Sequence, residues 1–451
     1  MIRPKGSDSL KILISSILFS PEPISTGKFT GEMAEWLSDQ GHEVRVITTP
    51  PHYPQWRVYP GFGAWKFSRE TRQSGSREPL EIFRCPVWIP TNPRGWRRIA
   101  YLASFSLTSC LAFIRQLPWA PDLVLLVEPT LFCAPHTLVF GLLTSSVSWL
   151  HVQDFEVDVA FRLNDLPGGG IRDWAARIER LLLRRFDKVS TISNRMLERL
   201  SVKGLPQEKC AFLPNWVDVS QIYPSDCGKT YRAELGISPD SVVALYSGNM
   251  GLKQGLGLLA DACSRVANRS DIKFVFCGDG PYRSALANQI RGLRNAIMIP
   301  LQPADRLNDL LNLADIHLLP QVAGAEDLVM PSKLAAIFAS GRPVIATASE
   351  GSELSTAVES RGLIIPPNDP NAFAAAIVRL ADDPSARGRM GARARAYAVE
   401  QLNKDAILKR IERIMLQACG QVDSKHLADG RNRPDTIGET RATSATVSPE
   451  K

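Results

Sequence analysis

The stretch SVVALYSGNMGLKQGLGLLADACSRVANR, residues 241–269, decides the fold. A β-branched apolar segment runs through a turn carrying Gly248, Gly251 and Gly255 into a helix-patterned segment. Strand, glycine turn and helix in that order open a parallel α/β unit. The same order occurs near the N-terminus, where LKILISSILF (10–19) leads through SPEPISTGKFTGEM (20–33) into MAEWLSDQG (33–41). A chain of 451 residues is long enough for two domains. The restart at residue 241 places the second.

Working outward, HEVRVITT, PDLVLLVEP, VSWLHVQD and KVSTIS supply further strands of the first half, separated by helical runs such as DWAARIERLLLRRF and RMLERLSVKG. KFVFCGDG, AIMIPL, IHLLPQ, RPVIATA and GLIIPP do the same in the second half. AFLPNWVDVSQIYP is irregular and proline-bearing, as a passage between domains would be. The expected division is a polar extension over 1–9, a Rossmann-like domain over 10–218 and a second over 219–390. Terminal helices follow over 391–419, with a possible return to the first domain, and then a disordered tail over 420–451.

Composition narrows the function. A hydrophobic share of 44% with 22% charged residues describes a globular chain. The eight cysteines form no C-x-x-C pair, which argues against a zinc site or disulfide framework and suits a reducing cytoplasm. The net charge of +7 suits phosphorylated substrates or anionic lipid. Zinc-finger spacing, RNP aromatics and basic heptads are all missing, so nucleic acid is not an expected partner. Nor does a G-x-G-x-x-G with a downstream acidic ribose ligand follow either first strand, which disfavours an NAD oxidoreductase.

Three turns of the second half suit phosphate. YSGNMGLKQGL places Gly248, Asn249 and Lys253 ahead of a helix, FCGDGPYR sets Gly278 and Gly280 around Asp279, and MPSKL puts Ser332 and Lys333 at a helix start. Helix-terminal N–H groups and lysines together favour a diphosphate. The Gly27-Lys28 pair in the first half is not a P-loop. Glu22 stands where the motif's first glycine belongs and Phe29 where its Ser or Thr belongs.

RRIAYLASFSLTSCLAFIRQL has 16 uncharged residues between Arg98 and Arg115, short of the ~20 a membrane span needs. It is either a helix dipping into an anionic membrane surface or a buried helix with a basic start.

GHEVRVITTP, STISNRML, FLPNWVD, FVFCGDGPYR and ASGRPVIAT, in this order, resemble the retaining family 4 glycosyltransferases of GT-B fold. GKFTGEMAEWLSDQGHEVRVITTPPHYPQW, PTLFCAP, HVQDFEVD, YSGNMGLKQGL and MPSKL resemble more narrowly the WcaI-type enzymes of colanic acid and related exopolysaccharide synthesis. The resemblance covers the chain from about Lys11 to the terminal helices. It implies two Rossmann-like domains facing across a cleft, with a nucleotide-diphosphate sugar held by the second and an acceptor by the first. It further implies transfer with retention and no cofactor or required metal. No D-x-D motif is present, in keeping with the last point.

The chain departs from the family pattern at several sites. Gln153 takes the usual His position before Asp154, with His151 two residues earlier, so His151 and Asp154 are both catalytic candidates. Asn249 and Gln254 replace the usual basic pair. Leu328 and Ala336 replace the paired glutamates, leaving Glu326 and Asp327 as candidates for sugar hydroxyls and Glu353 for the ribose. Gly27 would let a backbone amide approach the diphosphate or the transferring sugar. In PPHYPQWRVYPGFGAW, Tyr53, Gln55 and Trp56 either line an acceptor channel or pack an irregular loop, and Asn215-Trp216 either serves the site or staples the domain junction.

The expected function is transfer of a sugar to a polyprenyl-diphosphate-linked glycan by an enzyme peripheral on the cytoplasmic face of the plasma membrane. A nucleotide-sugar epimerase of the same shape and a non-catalytic nucleotide-sugar or glycan-binding protein are the alternatives.

Overall fold

The computed structural model describes residues 9–22, 25–73, 79–91, 93, 95–155, 170–251, 254–322 and 331–420. Two sheets organise it. The first contains β1 (Lys11–Ser16), β2 (Glu43–Thr48), β3 (Ser68–Arg72), β4 (Leu80–Arg84), β5 (Leu123–Val127), β6 (Val147–Val152), β7 (Lys188–Thr191) and β8 (Cys210–Phe212). Their order is β3-β4-β2-β1-β5-β6-β7-β8, parallel throughout except for β3, which runs antiparallel to β4. The second contains β9 (Val242–Ser247), β10 (Ile272–Cys277), β11 (Ala296–Ile299), β12 (Ile316–Leu319), β13 (Val344–Thr347) and β14 (Gly362–Ile365), in the order β11-β10-β9-β12-β13-β14.

The apolar runs are continuous because helices cover both faces of a parallel sheet. In β5 (LVLLV) every residue is buried. Leu123, Leu125 and Val127 join one core with Ile12, Ile14, Phe29 and Met33, while Val124 and Leu126 join another with Leu13, Tyr101, Phe105 and Phe113. This is the period-two alternation of a pleated strand.

In each sheet the order reverses at the first strand: β1 lies between β2 and β5, and β9 between β10 and β12. Such a reversal opens a crevice at the strands' carboxyl ends. The segments that follow β1 and β9, singled out by Gly27 and by Gly248, Gly251 and Gly255, therefore sit at the two crevices.

The chain passes between the halves twice, side by side. The Val217 N–H donates to the Leu402 carbonyl at 2.8 Å, and the Lys404 N–H donates to the Val217 carbonyl at 3.0 Å. After the second passage, Ile407, Leu408, Ile411 and Met415 of the helix Lys404–Ala418 pack into the core of the first sheet. Trp216 fixes this junction, donating from its indole to Glu32 at 2.7 Å and meeting Phe29 edge-on at 5.3 Å.

Two expectations are corrected here. AFLPNWVDVSQIYP is not wholly irregular: Ala211 and Phe212 belong to β8, because they complete the edge of the first sheet beside β7. The first helix begins at Ser25, so Gly27 stands in its opening turn and not in a free loop. The extension and tail fall almost wholly outside the described residues.

Candidate active site

In the second half, the turns after β9 and β10 pack directly on each other. The Gly248 N–H donates to the Cys277 carbonyl at 3.0 Å and the Met250 N–H to the Asp279 carbonyl at 2.8 Å. At Gly278 (φ 150°), a Cβ would stand 2.0 Å from the Gly248 carbonyl oxygen, so only glycine allows this approach. Gly280 meets the Met250 carbonyl and the Asn249 side chain in the same way. Part of the glycine pattern is thus explained by packing between turns. Gly248 itself (φ 127°) opens toward a cation, because a Cβ there would lie 3.3 Å from the Lys333 ammonium.

Lys333 starts the helix Lys333–Ala339 and is half-buried. Its ammonium bonds the Tyr246 hydroxyl at 3.2 Å, and among the described residues no carboxylate pairs with it. Loss of hydration on burial pushes its pKa down to about 8. Ser332, just before it, is exposed and caps nothing with its side chain, and Asn249 is exposed above the turn. Gly248, Asn249, Gly278, Gly280 and Lys333 are therefore gathered at the ends of β9 and β10 and the adjoining helix. Lys253, Glu326 and Asp327 lie outside the described residues.

The first half presents a different surface. Glu22, buried at the end of the turn after β1, accepts three backbone N–H bonds: from Phe19 at 3.0 Å, His52 at 2.8 Å and Tyr53 at 2.8 Å. Burial nevertheless dominates and raises its pKa to about 7. Gly27 belongs to this arrangement, since a Cβ there would come within 2.9 Å of the Glu22 carboxylate. Gly27 is buried, and its lack of a side chain has this local cause.

Glu22 thus ties the turn after β1 to the loop after β2, and that loop carries aromatics. Trp56, with φ 54°, meets Tyr101 at 5.2 Å, His52 at 5.8 Å and Tyr53 at 6.1 Å. His52 bonds the Tyr101 hydroxyl at 2.8 Å and, with burial lowering its pKa to about 4, is neutral. Burial and then the negative charge of Asp154 raise the Tyr53 phenol, which places Asp154 in this neighbourhood. Gln55 is exposed at the loop's tip.

His151 does not present a free ring. Its Nδ1 meets the Ser190 hydroxyl at 2.9 Å, which also accepts from the Trp149 indole at 2.8 Å, and its Nε2 meets the Gln153 amide nitrogen at 2.9 Å. Burial lowers its pKa to about 3, so the imidazole is neutral. Gln153 continues toward Asn215 at 3.5 Å. His151 is therefore buried beneath Gln153 and bonded to its side chain.

A cavity of about 510 Å³ separates the halves, lined among others by Asn194, Asn215, Ser332, Phe338, Glu353 and Tyr397. Glu353, considered above for a ribose, instead bonds the first half. Its carboxylate accepts the N–H groups of Asn194 at 2.7 Å and Arg195 at 3.0 Å. Sequence reasoning missed Glu22, His52 and Tyr101 as the buried support of the loop after β2. The available signal was Glu22 itself, an acid flanked by prolines where a P-loop would need glycine.

Residues 26–216 match the family model described as glycosyl transferase 4-like domain, and residues 241–383 that of glycosyl transferases group 1. The chain is 37% identical over 411 residues to the putative colanic acid biosynthesis glycosyl transferase WcaI of Escherichia coli (strain K12), spanning 89% of this chain and 98% of the relative. It is 26% identical over 414 residues to the putative colanic acid biosynthesis glycosyltransferase WcaL of Salmonella typhimurium, spanning 87% and 97%. Among solved structures, sucrose-phosphate synthase from Thermosynechococcus elongatus superposes with TM-score 0.70 at 16% identity over 92% of this chain and 100% of that one. Anabaena HepE in complex with UDP and glucose does so with TM-score 0.64 at 17% identity, over 90% and 100%. With two facing parallel sheets, both family models and a relative matched along nearly its whole length, the chain belongs to the family 4 glycosyltransferases of GT-B fold, in the WcaI-type group.

Proposed function

We propose that this glycosyltransferase moves a sugar, with retention and without a metal, from a nucleotide-diphosphate sugar to a lipid-linked oligosaccharide in exopolysaccharide biosynthesis. The observation that carries the donor side is Lys333, a cation without a carboxylate partner among the described residues, set beside Gly248 at the switch point of the second sheet. A fixed ammonium there stabilises the diphosphate as it departs and needs no reorganisation during transfer. The complex of HepE with UDP and glucose supports a nucleotide-sugar donor by analogy of fold. On the acceptor side, the half-buried Tyr53 and Trp56, backed by the buried Tyr101, are the rings set to meet a glycan, with Asp154 in their neighbourhood to bind hydroxyls.

The lipid-linked character of the acceptor is supported by a second surface. The helix Trp96–Gln116 exposes Leu107 (75%), Leu111 and Ile114, and Phe132, Val139, Leu142 (81%) and Leu143 are exposed on and before the neighbouring helix Ala134–Thr144. Arg97 and Arg98 stand at the start of the longer helix. Apolar residues flanked by arginines suit an anionic bilayer surface. Among the described residues no helix is long and apolar enough to cross a membrane.

Purified protein given a panel of UDP- and GDP-sugars with a lipid-linked acceptor is expected to release nucleoside diphosphate and lengthen the acceptor. Acceptor-independent epimer formation, or binding without turnover, would replace this function by one of its two alternatives.

A further inference from the structure

Two helix N-termini from opposite halves meet at the cleft. The helix Asn194–Val202 begins after β7 and is capped by Ser193, whose hydroxyl accepts from the Met196 N–H. The helix Glu353–Val358 begins after β13 and is capped by Ser352 in the same way. Both ends carry partial positive charge and unsatisfied N–H groups, so bringing them together unaided is unfavourable. Glu353 resolves this. Its two carboxylate oxygens take the N–H groups of Asn194 and Arg195, one each, at 2.7 and 3.0 Å. The Arg195 guanidinium returns a bond to the Gly351 carbonyl at 2.5 Å. Three bonds thus join residues more than 150 positions apart in sequence, at a place separate from the paired passages at Val217 and Leu402.

We propose that Glu353 is a positioning residue for glycosyl transfer: its carboxylate clasps the two halves across the cleft and fixes how the donor turns face the acceptor surface. The passages at Val217 and Leu402 leave the halves free to rotate about one line, and a second attachment removes that freedom. Glu353 and Asn194 both line the interdomain cavity, as does Ser332 beside Lys333, so the clasp borders the space whose shape it controls. The bonds are charge-assisted yet solvent-exposed, which lets them form and release within a catalytic cycle.

The role rests on transfer across the cleft, but its first tests need no turnover and remain informative if the donor assignment fails. In Glu353→Gln the carboxamide keeps one acceptor and turns an NH2 toward the second N–H. Hydrogen exchange at Asn194 and Arg195 is expected to accelerate about tenfold or more, with the strands of both sheets unchanged. X-ray scattering is expected to show a larger maximum dimension. Donor KM is expected to rise by about three- to tenfold with kcat within about twofold. Arg195→Ala, which removes the return bond together with the exposed pair to Glu198 at 3.3 Å on its own helix but leaves both bonds to Glu353, should move each quantity in the same direction by less. Unchanged exchange at the two amides with superposable scattering overturns the clasp. A collapse of kcat in a variant that stays compact also overturns it, by making Glu353 a group that touches substrate.

Discussion

The Lys333 ammonium stands 4.3 Å from the centre of the Tyr246 ring and 3.2 Å from its hydroxyl, which itself donates to the Asn249 carbonyl at 2.6 Å. One aromatic residue of β9 thereby holds both the cation and the backbone of the turn proposed to grip the diphosphate. Lys333→Ala is expected to weaken nucleoside diphosphate binding by about 2 kcal/mol, about thirtyfold, while leaving thermal stability nearly unchanged. Calorimetric titration with UDP and GDP beside a melting curve checks this.

The same lysine gives a pH dependence. Its pKa lies at about 8 in the free protein, below the ordinary 10.5, because burial disfavours the charged form. The ammonium is present below about pH 8 and lost above it, so diphosphate affinity should decline as pH rises through that value. Binding measured from pH 7 to 9.5 should show a break that Lys333→Arg abolishes.

Glu22 gives a second pH dependence, in stability. Its folded pKa of about 7 is raised above the ordinary 4.5, so the folded state binds the proton more tightly than the unfolded chain. Its contribution is fully present below about pH 4.5 and is lost as pH climbs through about 7. Glu22→Ala strands three backbone donors, so it should cost about 2–4 kcal/mol and loosen the loop carrying Tyr53 and Trp56. Urea unfolding at several pH values measures both the cost and the slope.

Gly278→Ala should be severe for a different reason. The new Cβ would lie 2.0 Å from the Gly248 carbonyl oxygen at a backbone angle that favours glycine. A loss of about 3 kcal/mol or more is expected, together with displacement of the Gly248 turn and lost donor binding. Melting temperature and UDP titration together test this. Gly61, also at positive φ but with nothing within 4 Å, should tolerate alanine far better.

Leu107→Glu combined with Leu111→Glu places charges on an already exposed face, so circular dichroism should be unchanged. Flotation with vesicles containing anionic lipid should fall by about tenfold or more if this face docks on the bilayer. Equal flotation of variant and parent would remove the membrane surface from the proposal.

The doubly wound architecture was legible because its evidence is local. Buried apolar runs such as LVLLV and the glycine turn after β9 declare themselves within ten residues. Edge strand β3, sequence SRETR, was not legible, because it is largely solvent-facing and carries no apolar alternation. That Gly248, Asn249 and Lys333 lie at strand and helix ends could be read in advance from the turn patterns around them. The partnership of Glu22 with His52 and Tyr53, and that of Glu353 with Asn194, could not. Both depend on which loops the folded topology brings together, and hydrogen bonds to backbone N–H groups leave no side-chain signature in the partner. The setting of His151 was hidden for a related reason: only the folded structure shows its two nitrogens engaged by Ser190 and Gln153.

The paired passages at Val217 and Asn403 make the second half one uninterrupted insert whose two ends leave the first half beside each other. The first half, by contrast, is completed only when the helix Lys404–Ala418 returns to it. Exchanging residues 218–402 between relatives therefore takes two neighbouring splices, with Trp216 and the last helix staying together in the recipient chassis, and such a chimaera is expected to carry over the nucleotide-sugar preference proposed for the second half.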